Sequence, residues 1–213
     1  MRHRKRAQVP ARLICASALL SAIASMLLPA GTGTFAAGAV SAGQPADLSR
    51  LMSALAQRKH GHVTFVERKY LSILDSPVES SGELLYEAPD RLEKRTVKPK
   101  SETLVLESGV LTAQRGRHKY QLDLQQYPQV VPFIESIRAT LAGDEAALER
   151  IFKVTFGGTF DRWTLTLVPL DPKLARTVRQ IEIAGEAAAV HSVEIREADG
   201  DRSELTIGPD VGQ

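Results

Sequence analysis

Residues 102–124 read E-T-L-V-L-E-S-G-V-L-T-A-Q-R-G-R-H-K-Y-Q-L-D-L. Leu104 and Leu106 alternate with Thr103 and Val105 until Ser108-Gly109 interrupts. Val110 to Gln114 resumes the alternation, Arg115-Gly116 breaks it, and Lys119 to Leu124 places Tyr120, Leu122 and Leu124 on one face. Period-two segments separated by glycine-containing pairs predict consecutive antiparallel hairpins.

The pattern extends in both directions. Upstream, His62–Leu74, Gly82–Glu87 and Arg91–Val97 read as strands, with Ala88-Pro89-Asp90 as a break. In the first of these, Val63 and Phe65 share one face, and Thr64, Val66, Arg68 and Tyr70 the other. Downstream, Lys153–Phe156, Trp163–Val168, Arg176–Ala184, Val190–Glu197 and Arg202–Ile207 follow, with Gly157-Gly158 and Asp199-Gly200-Asp201 as turns. Helical spacing occurs in three places. Leu48, Leu51, Met52 and Leu55 predict a helix over Leu48–Arg58 with Asp47 as its N-cap. Pro132 opens a second helix with the stripe Phe133, Ile134, Ile137 and Leu141, stopped by Gly143. Asp144 caps a third, with Leu148, Ile151 and Phe152 on its apolar side. The expected fold is mainly β (α+β). It is a curved antiparallel sheet of about ten or eleven strands curling into an incomplete barrel, with about three helices as a lid over the concave face.

Composition bounds the function. The chain has 213 residues, 43% hydrophobic and 24% charged, which suits a globular domain. Its net charge of +2 comes from the N-terminus, because residues 1–42 hold Arg2, Arg4, Lys5, Arg6 and Arg12 and no acid. The remainder carries 22 basic and 25 acidic residues, so charge offers no basis for a nucleic-acid surface. Residues 1–42 have the parts of a secretory signal: a basic start, the apolar run Leu13–Leu28, and small residues with cleavage points after Ala37 or Ala42. The apolar run is short for a membrane span of ~20 residues, so the alternative of an uncleaved anchor fits less well. The expected organisation is a leader and small-residue linker over 1–42 and one domain over 43–213, placed in the periplasm. The single cysteine, Cys15, lies in the leader behind Ile14, where lipid attachment would want a small residue. The remaining chain therefore has no thiol chemistry and no disulfide.

Motifs for catalysis are missing. There is no G-x-S-x-G elbow, phosphate loop, dinucleotide fingerprint or H-E-x-x-H. His60-Gly-His62 lacks a nearby third ligand, and Asp199-Gly200-Asp201 is explained by a hairpin turn. No cofactor, no metal and no enzyme activity are expected, a periplasmic hydrolase being the enzyme alternative. The basic run Arg91, Lys94, Arg95, Lys98 and Lys100 reads as a solvated strand face, or as a contact for anionic lipid heads or acidic partners.

Taken in order, these segments resemble the LolA/LolB-like superfamily of periplasmic lipoprotein carriers. The resemblance covers Leu48 to Ile207. It rests on L-x-x-L-M-x-x-L at Leu48–Leu55, Phe65-Val66-Glu67 in place of the family's F-x-Q, and G-E-L-L-Y-E-A-P-D-R-L at Gly82–Leu92. It continues through L-V-L-E-S-G-V-L at Leu104–Leu111, R-W-T-L-T-L-V-P at Arg162–Pro169, I-E-I-x-G at Ile181–Gly185 and the hairpin at Gly200-Asp201. The resemblance implies a hydrophobic cavity for acyl chains of lipoproteins or another lipid, carried from the inner toward the outer membrane. It further implies an inner-membrane exporter, an outer-membrane acceptor and a monomeric carrier. Two departures mark a divergent member. Ala88 stands before Pro89 where carriers of the best-known type have a lid-tying Arg, and Leu92-Glu93-Lys94-Arg95 lacks the family's aromatic residue. The expected lining is Phe65, Leu84, Tyr86, Leu104, Leu106, Leu122, Phe133, Ile134, Ile137, Leu141, Phe156, Trp163 and Leu165. The same residues also suit a filled core, which would make the protein a binding or assembly module with a protein partner.

Overall fold

The computed structural model describes residues 45–126 and 131–211, without the side chains of residues 45, 46 and 133. The leader and Cys15 lie outside the described residues, and so does the side chain of Phe133. Strands β1 (His60–Tyr70), β2 (Val78–Glu87), β3 (Arg91–Lys98), β4 (Glu102–Glu107), β5 (Val110–Arg115) and β6 (His118–Asp123) form a first meander. Helices α1 (Pro45–Ala56), α2 (Val131–Ala142) and α3 (Glu145–Ile151) flank it in sequence. Strands β7 (Phe152–Thr159), β8 (Arg162–Pro169), β9 (Val178–Glu186), β10 (Ala189–Glu197) and β11 (Arg202–Asp210) form a second meander.

All eleven strands belong to one antiparallel sheet in the order β6-β5-β4-β3-β2-β1-β11-β10-β9-β8-β7. The pairing of β1 with β11 joins the two meanders, with Phe65 opposite Ile207 and Glu67 opposite Leu205. No pairing among the described residues joins β6 to β7, so the barrel stays open between them. The incomplete barrel with three helices is the fold that hairpin spacing and helical stripes predict.

Local differences have local causes. α1 begins at Pro45, so Asp47 lies in its first turn, where a carboxylate still favours the positive helix end. The Asp144 cap forms as expected, its side chain accepting from the Ala147 amide at 2.9 Å. Gly157 and Gly158 lie inside β7, and the chain turns instead at Phe160–Asp161. Hydrogen bonding to β8 continues through Gly158 opposite Trp163, so the ladder overrides the turn propensity of two glycines.

The helices cover the concave side unevenly. α1 and α3 rest on β7, and their Leu51, Leu55 and Leu148 are almost completely buried against Phe152, Trp163, Leu165, Leu167 and Ile181 of the sheet, which are buried likewise. The Trp163 indole donates to the Ala187 carbonyl at 2.8 Å, which satisfies its one polar atom inside this core. α2 packs chiefly on α1 and α3, reaching across the other half of the bowl. Gly143 makes the α2–α3 corner possible. Its φ is +66°, and any side chain there would collide with the Met52 carbonyl of α1. One half of the bowl is therefore packed solid, and the other is spanned by a helix resting mainly on other helices.

Candidate functional site: an apolar hollow under α2

Beneath α2 the sheet encloses a cavity of about 220 Å³. Its walls come from Val63 of β1, Leu84 and Tyr86 of β2, Leu92 of β3, Leu104 and Leu106 of β4 and Leu111 of β5. Ile183 of β9, Val190, Val193 and Ile195 of β10, and Leu205 and Ile207 of β11 complete the sheet side. Leu55 of α1 and Ile134, Ile137, Thr140 and Leu141 of α2 roof it. Strand alternation explains the composition: every second residue points inward, and on these strands those residues are mostly aliphatic.

Of the lining expected from sequence, Leu84, Tyr86, Leu104, Leu106, Ile134, Ile137 and Leu141 meet around this hollow. Phe156, Trp163 and Leu165 are elsewhere, in the solid core, because α1 and α3 seat directly on β7 and fill that half. Leu122 is on edge strand β6, half-buried against the core but off the cavity wall. Phe65 points inward and is buried, but Lys94 lies over its ring, with Nζ 4.9 Å from the centroid, and it does not reach the wall. The contribution of β9–β11 was not singled out in the sequence. The alternation of Val193 with Ile195 and of Leu205 with Ile207 carries that signal.

The cavity also touches charge. Arg58, just after α1, lines it near Gly61 and Ala188, and its guanidinium donates to the Ala188 carbonyl at 2.9 Å and to Asp210 at 3.4 Å. Arg58 therefore ties the end of α1 to the β9–β10 turn and to β11. At the opposite end, Glu67 accepts from Lys94 Nζ at 2.7 Å, Ser80 Oγ at 3.1 Å and Ser203 Oγ at 3.1 Å. Lys69 pairs with Glu197 at 3.7 Å, both almost fully buried. Burial pushes the Glu197 carboxyl up, Lys69 pulls it down, and Asp199 and Asp201 add to the upward push. Burial likewise raises the Tyr86 hydroxyl, against the opposing charge of Arg138 on α2, with Asp90 adding to the rise.

The basic run on β3 divides between two faces. Lys94 turns inward to Glu67, whereas Arg91 and Arg95 lie on the convex side and both bind Glu93. Burial works to raise the Glu93 carboxyl, but hydrogen bonds and charge from Arg95 and Arg91 hold it below the ordinary carboxylate range. On the convex side His62 Nε2 lies 3.2 Å from Glu83. Among the described residues no three potential metal ligands come together. No helix among them is long and apolar enough to cross a membrane.

The family model of the outer membrane lipoprotein carrier protein LolA-like group matches residues 39–209. No curated protein matches the chain. Among solved structures, a LolA superfamily protein from Nitrosomonas europaea is similar at 11% identity and a TM-score of 0.41, over 81% of this chain and 93% of that one. LprF from Mycobacterium bovis is 12% identical with a TM-score of 0.37, over 83% and 96%. A DUF1329 family protein from Desulfovibrio piger is 8% identical with a TM-score of 0.42, over 78% and 92%. With a family match across four-fifths of its length and an open barrel holding an apolar hollow under its helices, this chain belongs to the outer membrane lipoprotein carrier protein LolA-like family.

Proposed function

We propose that the protein is a periplasmic carrier that shelters the acyl chains of lipoproteins, or of another lipid, on the way from the inner toward the outer membrane. The observation that carries this reading is the aliphatic hollow between the sheet and α2. Each methylene withdrawn from water there is worth ~0.8 kcal/mol, so a long acyl chain supplies roughly 10 kcal/mol of gross driving force without covalent chemistry. The residues 1–42 act as the cleaved leader, and 43–213 as the carrier domain. An inner-membrane donor loads the cargo, and an outer-membrane acceptor that binds it better takes it away.

The size of the hollow bears on the mechanism. About 220 Å³ is below the ~300–1,000 Å³ of ordinary ligand pockets. Loading of a full acyl chain therefore requires α2 to move outward. Its chief packing on α1 and α3 suits it to move without breaking the sheet. Arg58, in the absence of an arginine at position 88, is the side chain placed to hold the roof end against the barrel.

Displacement of a fluorescent fatty acid by unlabelled lipid, with native mass spectrometry of the protein lacking its leader, tests the reading. Micromolar or tighter binding of acyl probes is expected. Absence of binding to any acyl probe, with the protein folded, overturns it.

A further inference from the structure

The inward faces of five neighbouring strands change character near one level of the bowl. On β1, Val63 and Phe65 are followed by Glu67 and Lys69. On β2, Tyr86 and Leu84 give way to Ser80, and on β11 Ile207 and Leu205 give way to Ser203. On β10, Val193 and Ile195 give way to Glu197, while β3 follows Leu92 with Lys94. The register sets Glu67 opposite Ser80 and Lys69 opposite Ser203. Glu67, Lys69, Ser80, Glu197 and Ser203 are all buried, whereas His60, at the other end of the cavity, is exposed. The hollow thus has an open end near Arg58 and His60 and a closed end made of ion pairs and hydroxyls.

We propose that this polar layer, centred on Glu67 and Lys94, is the floor of the cavity and sets the length of acyl chain it accepts, tail first. The inference rests on the carrier reading and deepens it. Glu67 already accepts from three donors, so the layer has no need of an incoming polar group, which argues for a stop and against a headgroup site. A methyl terminus gains by burial against Leu205 and Leu84. Going further, it would have to part Lys94 from Glu67 inside a poorly hydrated site, at a cost that hydrocarbon contact does not return. The charged end of the lipid then remains at the mouth.

The test is a homologous series of saturated fatty acids, from octanoate to stearate, measured by displacement of a fluorescent fatty acid. For the wild type, affinity is expected to rise about fourfold per methylene and then level off at a break. In Glu67→Leu/Lys94→Met, the break moves to a longer homologue, because an apolar floor admits further methylenes. Leu205→Phe, which adds bulk opposite Glu67 and keeps the ion pair, moves it to a shorter one and decides the matter if the double variant does not fold. A break that stays in place in folded variants that still bind overturns the floor and leaves the carrier reading intact. So does a wild-type affinity that climbs without a break. No binding of any homologue by the wild type overturns the carrier reading, and the floor with it.

Discussion

Glu67 shows how much one inward-facing side chain can depend on its neighbours. Its side chain is 5% exposed, and its carboxylate is held by one ammonium and two hydroxyls on three other strands. Removing one partner of a buried pair is expected to cost more than removing both. Lys94→Met should lower unfolding stability by about 3 kcal/mol, and Glu67→Leu/Lys94→Met should recover most of that loss, measured by urea unfolding. With Glu67→Leu measured as well, single losses that simply add up to the double loss would show that the pair is not coupled. Glu93, on the convex face of the sheet, is held instead by the guanidiniums of Arg91 and Arg95. Its folded-state pKa lies below the ordinary carboxylate value. Its contribution to stability is therefore present above the unfolded-state pKa and is lost as pH falls through the folded one. The melting-temperature gap between wild type and Glu93→Gln should be widest near neutrality and close in acid, as followed by circular dichroism across a pH series. At this scale the sequence is legible in kind but not in place. Lys94 and Arg95 look like members of one basic run, yet strand alternation sends one into the bowl and the other to solvent.

Among the elements, α2 differs most from the rest. Its Ile134, Ile137 and Leu141 face the hollow, while its firmest packing is at the corner with α3 and against α1. Gly143 sets that corner. Gly143→Ala should destabilise the protein by at least about 1 kcal/mol, from the positive φ alone, with an added loss from the collision with Met52. Thermal unfolding measures it, and an unchanged melting temperature would mean that the corner has room to adjust. The existence of the helices and most strands was readable because hydrophobic period reports local geometry. The turn falls at Phe160–Asp161 and not at Gly157-Gly158 because hydrogen bonding to β8, a partner later in sequence, decides where β7 ends. The lining was divided for a similar reason. Trp163 and Leu84 have the same inward, apolar character, and only the seating of α1 and α3 distinguishes packed core from cavity wall.

For the whole molecule, the apolar side chains of the concave face serve two purposes, solid core on the β7–β9 side and hollow over β1–β5, β10 and β11. Val63 faces inward yet is only half-buried, because it borders the empty space. Val63→Phe should fill that space, keep the unfolding free energy within about 1 kcal/mol of wild type in urea unfolding, and lower acyl-probe affinity at least tenfold. Retained affinity in a folded Val63→Phe protein would place the acyl chain elsewhere. The amino-acid sequence by itself determined an antiparallel sheet of successive hairpins with three helices, since periodicity and turn residues act over a few neighbours and need no distant partner. The tertiary structure alone decided where the hollow lies, which charged residues close its end and which helix roofs it. Those outcomes depend on register between strands far apart in the chain, such as β1 with β11, and on the volume left over once helices have docked.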